Sequence, residues 1–354
     1  MRLRTIFKLF INLIKEVKLL NPDLITIGSC TLDCIIQIKD ILRFELLDKD
    51  IVKKYTAIEY SRKLNIENVR FVPGGSAANI AANCSMLGLN SSYVGILGDD
   101  FSAKICLEDL EKRGVDLSNI TQIKEDKTAF SVILRTDWGK DRSILAYKGA
   151  NDLLKPENVK EKYFENIKAF AWTSLTTENG CQAIEKALSL TKDRGGTIFA
   201  APSMSILKNN QKWAKILISN SDVVSLNKDE AREFTGEHDS IHMIQKFIDV
   251  GVKLISITDG PKGSIISDGK KIVNSNVYSG PVEDTTGAGD AFLSGLLIST
   301  LNGFSMEKMS KIATAMSYLE CKEIGVREGL PNSLRELEEF INSNEIKQVV
   351  STIS

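Results

Sequence analysis

Apolar runs of strand length alternate with stretches of helical period along most of the second half of the chain. They fall at 168–173 then 178–194, 196–200 then 206–219, 222–226 then 228–235, and 254–258 before a helix from 288. Short unbroken apolar runs signal buried strands, and recurrence at three and four residues signals helices. Their alternation predicts an α/β fold with a doubly wound, mostly parallel sheet. Ile25-Thr26-Ile27 and Tyr93–Leu97 add two upstream strands. Residues 34–72 and 127–148 break the rhythm and read as paired β-ribbons. The second has strand-like runs at 128–134 and 143–147 about a turn at Asp137-Trp138-Gly139-Lys140. One domain over 23–346 is expected, preceded by an extension over 1–22.

That extension is basic and apolar, with Arg2, Arg4, Lys8, Lys15 and Lys18 among Leu, Ile and Phe. Lys8 interrupts the apolar run, so the segment is too short to span a bilayer. A presequence, a membrane-surface helix and a helix docked on the body all fit it. With 354 residues, 43% of them hydrophobic, the rest of the chain can bury a large core. A net charge of −1 offers no nucleic-acid surface. Six scattered cysteines, no C-x-x-C pair and two histidines argue for free thiols in a reducing, cytoplasmic setting and against zinc.

The candidate chemistry concentrates at Glu283-Asp284-Thr285-Thr286-Gly287-Ala288-Gly289-Asp290-Ala291-Phe292. The apolar run that follows has helical spacing, so Gly287-Ala288-Gly289 lies at a helix N-terminus. Small residues there leave backbone N–H donors unobstructed, and the helix start carries partial positive charge, which makes an anion site. A carboxylate beside an anion site makes sense if Asp290 takes a proton from a hydroxyl while the backbone holds phosphate charge. Upstream, Pro73-Gly74-Gly75-Ser76 is a turn that runs into a helix with a small-residue face, with Asn79 one turn inside. Gly88 suits the helix end. A strand closes on Gly98-Asp99-Asp100.

The string D-T-T-G-A-G-D-A-F and the upstream P-G-G-S-A-A-N with its G-x-x-G-D-D resemble the two signatures of the ribokinase-like, or PfkB, carbohydrate kinase family. The resemblance implies an ATP-dependent kinase with Asp290 as catalytic base and Gly287, Ala288 and Gly289 as the anion hole. It implies that Gly74, Gly75 and Asn79 contact the acceptor and that Asp33, after the first strand, grips sugar hydroxyls. Gly149-Ala150-Asn151 resembles a segment near the substrate. Asn227-Lys228-Asp229-Glu230 matches an N-x-x-E element that holds Mg²⁺, with Glu230 acting through water. Thr258 to Gly263 resembles a loop beside the nucleotide phosphates, with Thr258, Gly260 and Gly263 at its fixed positions. Asp284 and Thr286 match two positions of a monovalent-cation loop, whereas Gly325–Gly329 offers glycine where some members carry serine, which puts K⁺ activation in doubt. Ala200-Ala201-Pro202-Ser203 lacks the acid of a family segment. In the family the β-ribbons form a lid over the acceptor, and a homodimer through the lid is the expected assembly. No G-x-x-x-x-G-K-[ST] loop occurs, so a P-loop kinase is excluded.

The acceptor divides the remaining readings. A small sugar is favoured. A nucleoside of the adenosine type, the alternative, calls for an apolar or aromatic wall, for which Phe130, Trp138 and Tyr147 are the candidates. A sugar phosphate calls for extra cations, and Arg135, Arg142 and Lys148 stand near the lid. A non-catalytic sugar-sensing relative would have lost the base or the anion hole, and this chain has both.

Overall fold

The computed structural model describes residues 22–39, 41–48, 51–136 and 142–353. The N-terminal extension over 1–21 and the turn containing Trp138 lie outside the described residues. In chain order, β1 (Leu24–Ile27), β2 (Thr31–Gln37), the hairpin β3 (Leu42–Asp48) and β4 (Ile51–Ala57), and β5 (Asn68–Gly74) lead to helix α1 (Ser76–Met86). Then come β6 (Ser91–Gly98), α2 (Phe101–Lys112), β7 (Ile120–Ile123), β8 (Ala129–Arg135), β9 (Arg142–Tyr147), β10 (Ala169–Thr173), α3 (Glu178–Lys192) and β11 (Thr197–Ala201). Next are α4 (Met204–Asn209), α5 (Gln211–Ser219), β12 (Val223–Asn227), α6 (Lys228–Thr235), α7 (Ser240–Asp249) and β13 (Leu254–Thr258). The chain closes with β14 (Ser264–Ser267), β15 (Lys271–Ser275), α8 (Ala288–Leu301), α9 (Met306–Glu320), α10 (Leu334–Ser343) and β16 (Gln348–Thr352).

The main sheet has ten strands in the order β16-β15-β14-β13-β12-β11-β10-β1-β6-β7. From β7 through β13 every pairing is parallel. Strands β14 to β16 extend it antiparallel. Both faces are covered, so the central strands β1, β6 and β10 are buried at every position rather than alternately. Successive side chains serve opposite cores. Ile25, Ile27, Phe170 and Trp172 pack with Ile184 of α3, Leu217 of α5 and Phe247 of α7. Leu24, Ala169, Ala171 and Phe199 pack with Phe292 and Leu296 of α8 and Ile312 and Met316 of α9. This two-faced burial is the doubly wound arrangement expected from the alternation.

A separate four-stranded sheet, in the order β5-β2-β8-β9, stands over one end of the main sheet. It draws together both stretches that break the α/β rhythm. β2 pairs antiparallel with β5 and parallel with β8. One expectation needs correction. The apolar stretch 206–219 is not a single helix but two, α4 and α5, broken at Asn210 with φ −147° and ψ 61°. Asn209 and Asn210 are poor helix-interior residues because their amides compete for backbone groups.

Candidate active site

The site lies beyond the carboxyl ends of the parallel strands, where doubly wound sheets bind ligands. α8 aims its N-terminus into this region. Its N-cap is Gly287, held at φ 81°, a left-handed conformation that glycine adopts without cost. A Cβ at Gly287 would collide with the carboxylate of Glu320. At Gly289, by contrast, a Cβ would meet nothing within 4 Å. Gly287 therefore serves the packing of the turn, whereas Gly289 faces open cleft.

Two clefts meet at this helix start. The smaller, about 270 Å³, is lined by Asp33, Gly75, Asn79, Asn151, Thr286, Gly287 and Asp290, among others. The larger, about 690 Å³, takes in Thr258, Gly260, Gly263, Ala288 and Gly289, with Tyr278 and Phe292 on its apolar wall. A shallower recess holds Asn227, Lys228, Thr258 and Gly260. The first turn of α8 thus presents Gly287 and Asp290 to one cleft and Ala288 and Gly289 to the other. Gly74 stands behind the smaller cleft, where a Cβ would come within 2.5 Å of Asp33 Oδ2. A side chain there would push the Asp33 carboxylate out of place.

Asp290 is half-buried. Burial raises its carboxyl above the ordinary value, opposed by hydrogen bonds from Asn79 and Ser76 and by the charge of Arg327. A raised carboxylate is better suited to accept a proton near neutrality. Asn79 Nδ2 donates to Asp290 Oδ2 at 2.7 Å. Ser294 closes the next turn of α8, donating to the Asp290 carbonyl at 2.7 Å. Asn151 is 3% exposed. Its Oδ1 accepts from Cys30 N at 3.3 Å, and its Nδ2 is buried with no protein partner. An unmet donor on the wall of a cleft is suited to a ligand oxygen.

The residues expected to hold cations are more engaged. Glu230 and Asn227 form a capping box on α6. Glu230 Oε2 accepts from Asn227 N at 3.0 Å and Oε1 from Met204 N at 3.3 Å. Burial raises the Glu230 carboxyl, with Asp290 and Asp229 adding to the rise. Asp284 is buried, and its Oδ1 accepts from Thr286 Oγ1 at 2.7 Å. Arg135 Nη1 lies 4.0 Å from Asp284 Oδ2. Among the described residues no group of three or more His, Cys, Asp or Glu clusters as a metal site.

Arg327, Glu320 and Asp109 also stand at the site, and no local pattern in the sequence announces them. Arg327 is buried in the Gly325–Gly329 loop, and its Nε donates to Asn79 Oδ1 at 2.8 Å. A lone arginine between glycines reads as a solvated loop residue until the tertiary fold closes over it.

Fold and site together define an ATP-dependent phosphotransferase without a P-loop. The chain belongs to the pfkB family carbohydrate kinases, whose family model matches residues 46–333. An ATP-dependent 6-phosphofructokinase of Thermoanaerobacterium thermosaccharolyticum is 27% identical over 266 residues, covering 73% of this chain and 82% of that protein. A putative ribokinase II from E. coli in complex with ATP and Mg²⁺ shares the fold, with TM-score 0.77 and 20% identity over 91% of this chain and 99% of that one. Adenosine kinase from Sinorhizobium meliloti matches with TM-score 0.74 and 25% identity over 91% of this chain and 99% of that one.

Proposed function

We propose that this kinase phosphorylates a hydroxymethyl or hydroxyl group of a small sugar, with Asp290 as general base. The observation that carries this reading is the start of α8 between two clefts, with the carboxylate on one side and the unobstructed Gly289 backbone on the other. The sugar sits in the smaller cleft, where Asp33, Asn79 and the unmet Nδ2 of Asn151 meet its hydroxyls. Asp290 takes the hydroxyl proton as that oxygen bonds to the γ-phosphorus of ATP. The bond to the β–γ bridging oxygen breaks, and ADP leaves. Backbone N–H groups of Gly287, Ala288 and Gly289 hold the charge on the transferred group, the main contribution a protein makes to such a transfer. ATP lies along the larger cleft, its phosphates toward Asn227, Thr258, Gly260 and Gly263 and its base against the apolar wall.

The oxygen donors near Glu230 fit a hard cation that keeps its waters. Its carboxyl is raised in part by neighbouring acids, a local excess of negative charge that Mg²⁺ would offset. Mg²⁺ bound there neutralises nucleotide phosphate charge. K⁺ enters only through Asp284 and Thr286. Thr286 already hydrogen-bonds Oδ1 and Arg135 stands 4.0 Å from Oδ2, so a cation there would share the carboxylate with both. Rates compared in K⁺ and in tetramethylammonium test it.

The aromatic candidates favour a sugar over a nucleoside. Tyr147 lines the smaller cleft, whereas Phe130 packs on the core beside α1 and α2. Among the described residues Tyr147 alone of the candidates faces this cleft, and one ring does not make a base-stacking wall. Lys148 also lines the cleft, which supports a phosphorylated sugar as the second reading. The four-stranded sheet is proposed to act as a lid that excludes water from the transfer. Its neighbourhood exposes apolar side chains, Leu47 at 74% and Leu145 at 62%, which supports a homodimer through this surface. Six buried free cysteines suit a reducing cytoplasm. An ATP-consumption screen of sugars, sugar phosphates and nucleosides tests the proposal. Turnover with a free sugar is expected, and turnover with nucleosides alone would overturn the assignment.

A further inference from the structure

Resting on the phosphotransfer reading, we propose that Arg327 is a positioning residue that fixes the amide of Asn79, and through it the carboxylate of Asp290. Every polar group of Arg327 is committed. Nε donates to Asn79 Oδ1 at 2.8 Å and Nη2 to the Gly74 carbonyl at 3.3 Å. Nη1 pairs with the Asp109 carboxylate. The backbone N–H donates to Glu320 Oε1 at 2.9 Å, and the carbonyl accepts from Arg113 Nη1 at 3.0 Å. Asp109 is shared with Arg113, whose Nε donates to it at 2.9 Å. A line of alternating partners therefore runs from Arg113 through Asp109, Arg327 and Asn79 to Asp290.

The consequence is chemical. An asparagine amide has one acceptor end and one donor end. With a guanidinium on one side and a carboxylate on the other, only one orientation satisfies both. A flip would set NH₂ against the guanidinium and oxygen against the carboxylate. Arg327 thus imposes the orientation in which Asn79 donates to Oδ2 of Asp290. It holds Asp290 in one place on the wall of the smaller cleft. The residue keeps this position at φ 70°, a left-handed conformation uncommon for arginine that the surrounding bonds must sustain. The bond to Gly74 extends the tie to the turn that makes room for Asp33.

A buried arginine can also be purely structural, so the test must read Asp290 itself. The groups facing that carboxylate are Ser76 and Asn79 on α1, Arg327 on its loop, Glu320 on α9 and Glu230 on α6. Two of the five are acids that oppose its charge only where they are themselves ionised, and Arg327 is the cation. In Arg327→Met the Asp290 titration midpoint, followed by ¹³C-carboxyl NMR, should rise. The acidic limb of the kcat/KM profile should rise with it, costing about tenfold per unit below the limb. Added guanidinium should restore part of the loss. Asn79→Ala should raise the midpoint as well, and adding Arg327→Lys to it should move it little further. A folded Arg327→Met with the parental midpoint would overturn the proposal. So would fully additive shifts in the double variant, a pair that serves even where Arg327→Met does not fold. The NMR readout needs no turnover. A parent enzyme inert toward every acceptor would sink the kinase reading and still leave the Arg327–Asn79–Asp290 coupling decided.

Discussion

Asn79 and Asp290 lie 211 positions apart in the chain and meet at 2.7 Å, Nδ2 to Oδ2. The contact joins the first helix turn after Gly74-Gly75 to the first helix turn after Gly287, the two segments that carry the sequence signatures. An acceptor held by one is thereby within reach of the carboxylate on the other.

Asp290→Asn keeps the shape and removes the base. Turnover should fall by ~10²–10⁴-fold, while ATP binding and the melting temperature stay near the parent values. Single-turnover kinetics with the best acceptor from the screen checks this. Near-parental kcat would remove Asp290 from the role of base.

Asp33→Ala should act on binding instead. Its carboxylate lines the smaller cleft and can accept two hydroxyl hydrogen bonds. Each charged hydrogen bond lost is worth about 1.5–3 kcal/mol, so the acceptor KM should rise at least tenfold with a smaller change in kcat. A fall in kcat alone, with acceptor Kd intact, contradicts the assignment.

Two glycines three positions or fewer from Asp290 should respond in opposite ways. Gly287→Ala forces a side chain into a left-handed backbone and against Glu320, so it should lower stability first. Gly289→Val meets open cleft and should fold normally while losing rate, because it crowds donors aimed at phosphate. One lost donor costs ~10²–10³-fold. Thermal melts paired with kcat separate the cases. A folded Gly289→Val variant at the parent rate would reduce segment 287–290 to a turn.

Legibility followed locality. The doubly wound sheet was readable because strands such as β10 and β12 are apolar on both faces and are followed by helices with one apolar stripe. The candidate site was readable where chemistry and backbone coincide in a few residues, as at Gly287–Asp290 and Gly74–Asn79. It was not readable where the fold supplies the meaning. Arg327 stands in a glycine-flanked loop that looks solvated, and its partners Asn79, Asp109 and Glu320 come from three different helices. The break at Asn210 was hidden because α4 and α5 share one apolar period. Strands β14 and β15 follow β13 with no α-helix between them and so lack the alternation that marked the rest.

Glu320 should leave its mark on stability against pH. It is 1% exposed, Oε2 has no partner, and burial lifts its carboxyl from an ordinary 4.5 to about 8. The folded protein therefore binds a proton there that the unfolded chain releases above about 4.5. Stability from this group is complete below pH 4.5, declines as pH rises, and reaches its floor above about 8. Glu320→Gln keeps an oxygen for the Arg327 N–H and removes the titration. The variant should melt with the parent near pH 4.5 and above it near pH 8, by roughly 2 °C for each kcal/mol regained. The measurement is the difference in Tm between the two proteins at matched ionic strength from pH 4.5 to 9. A difference that stays constant across that range would mean that Glu320 is ionised throughout in the folded protein, held by Arg327 and Arg113 against the cost of burial.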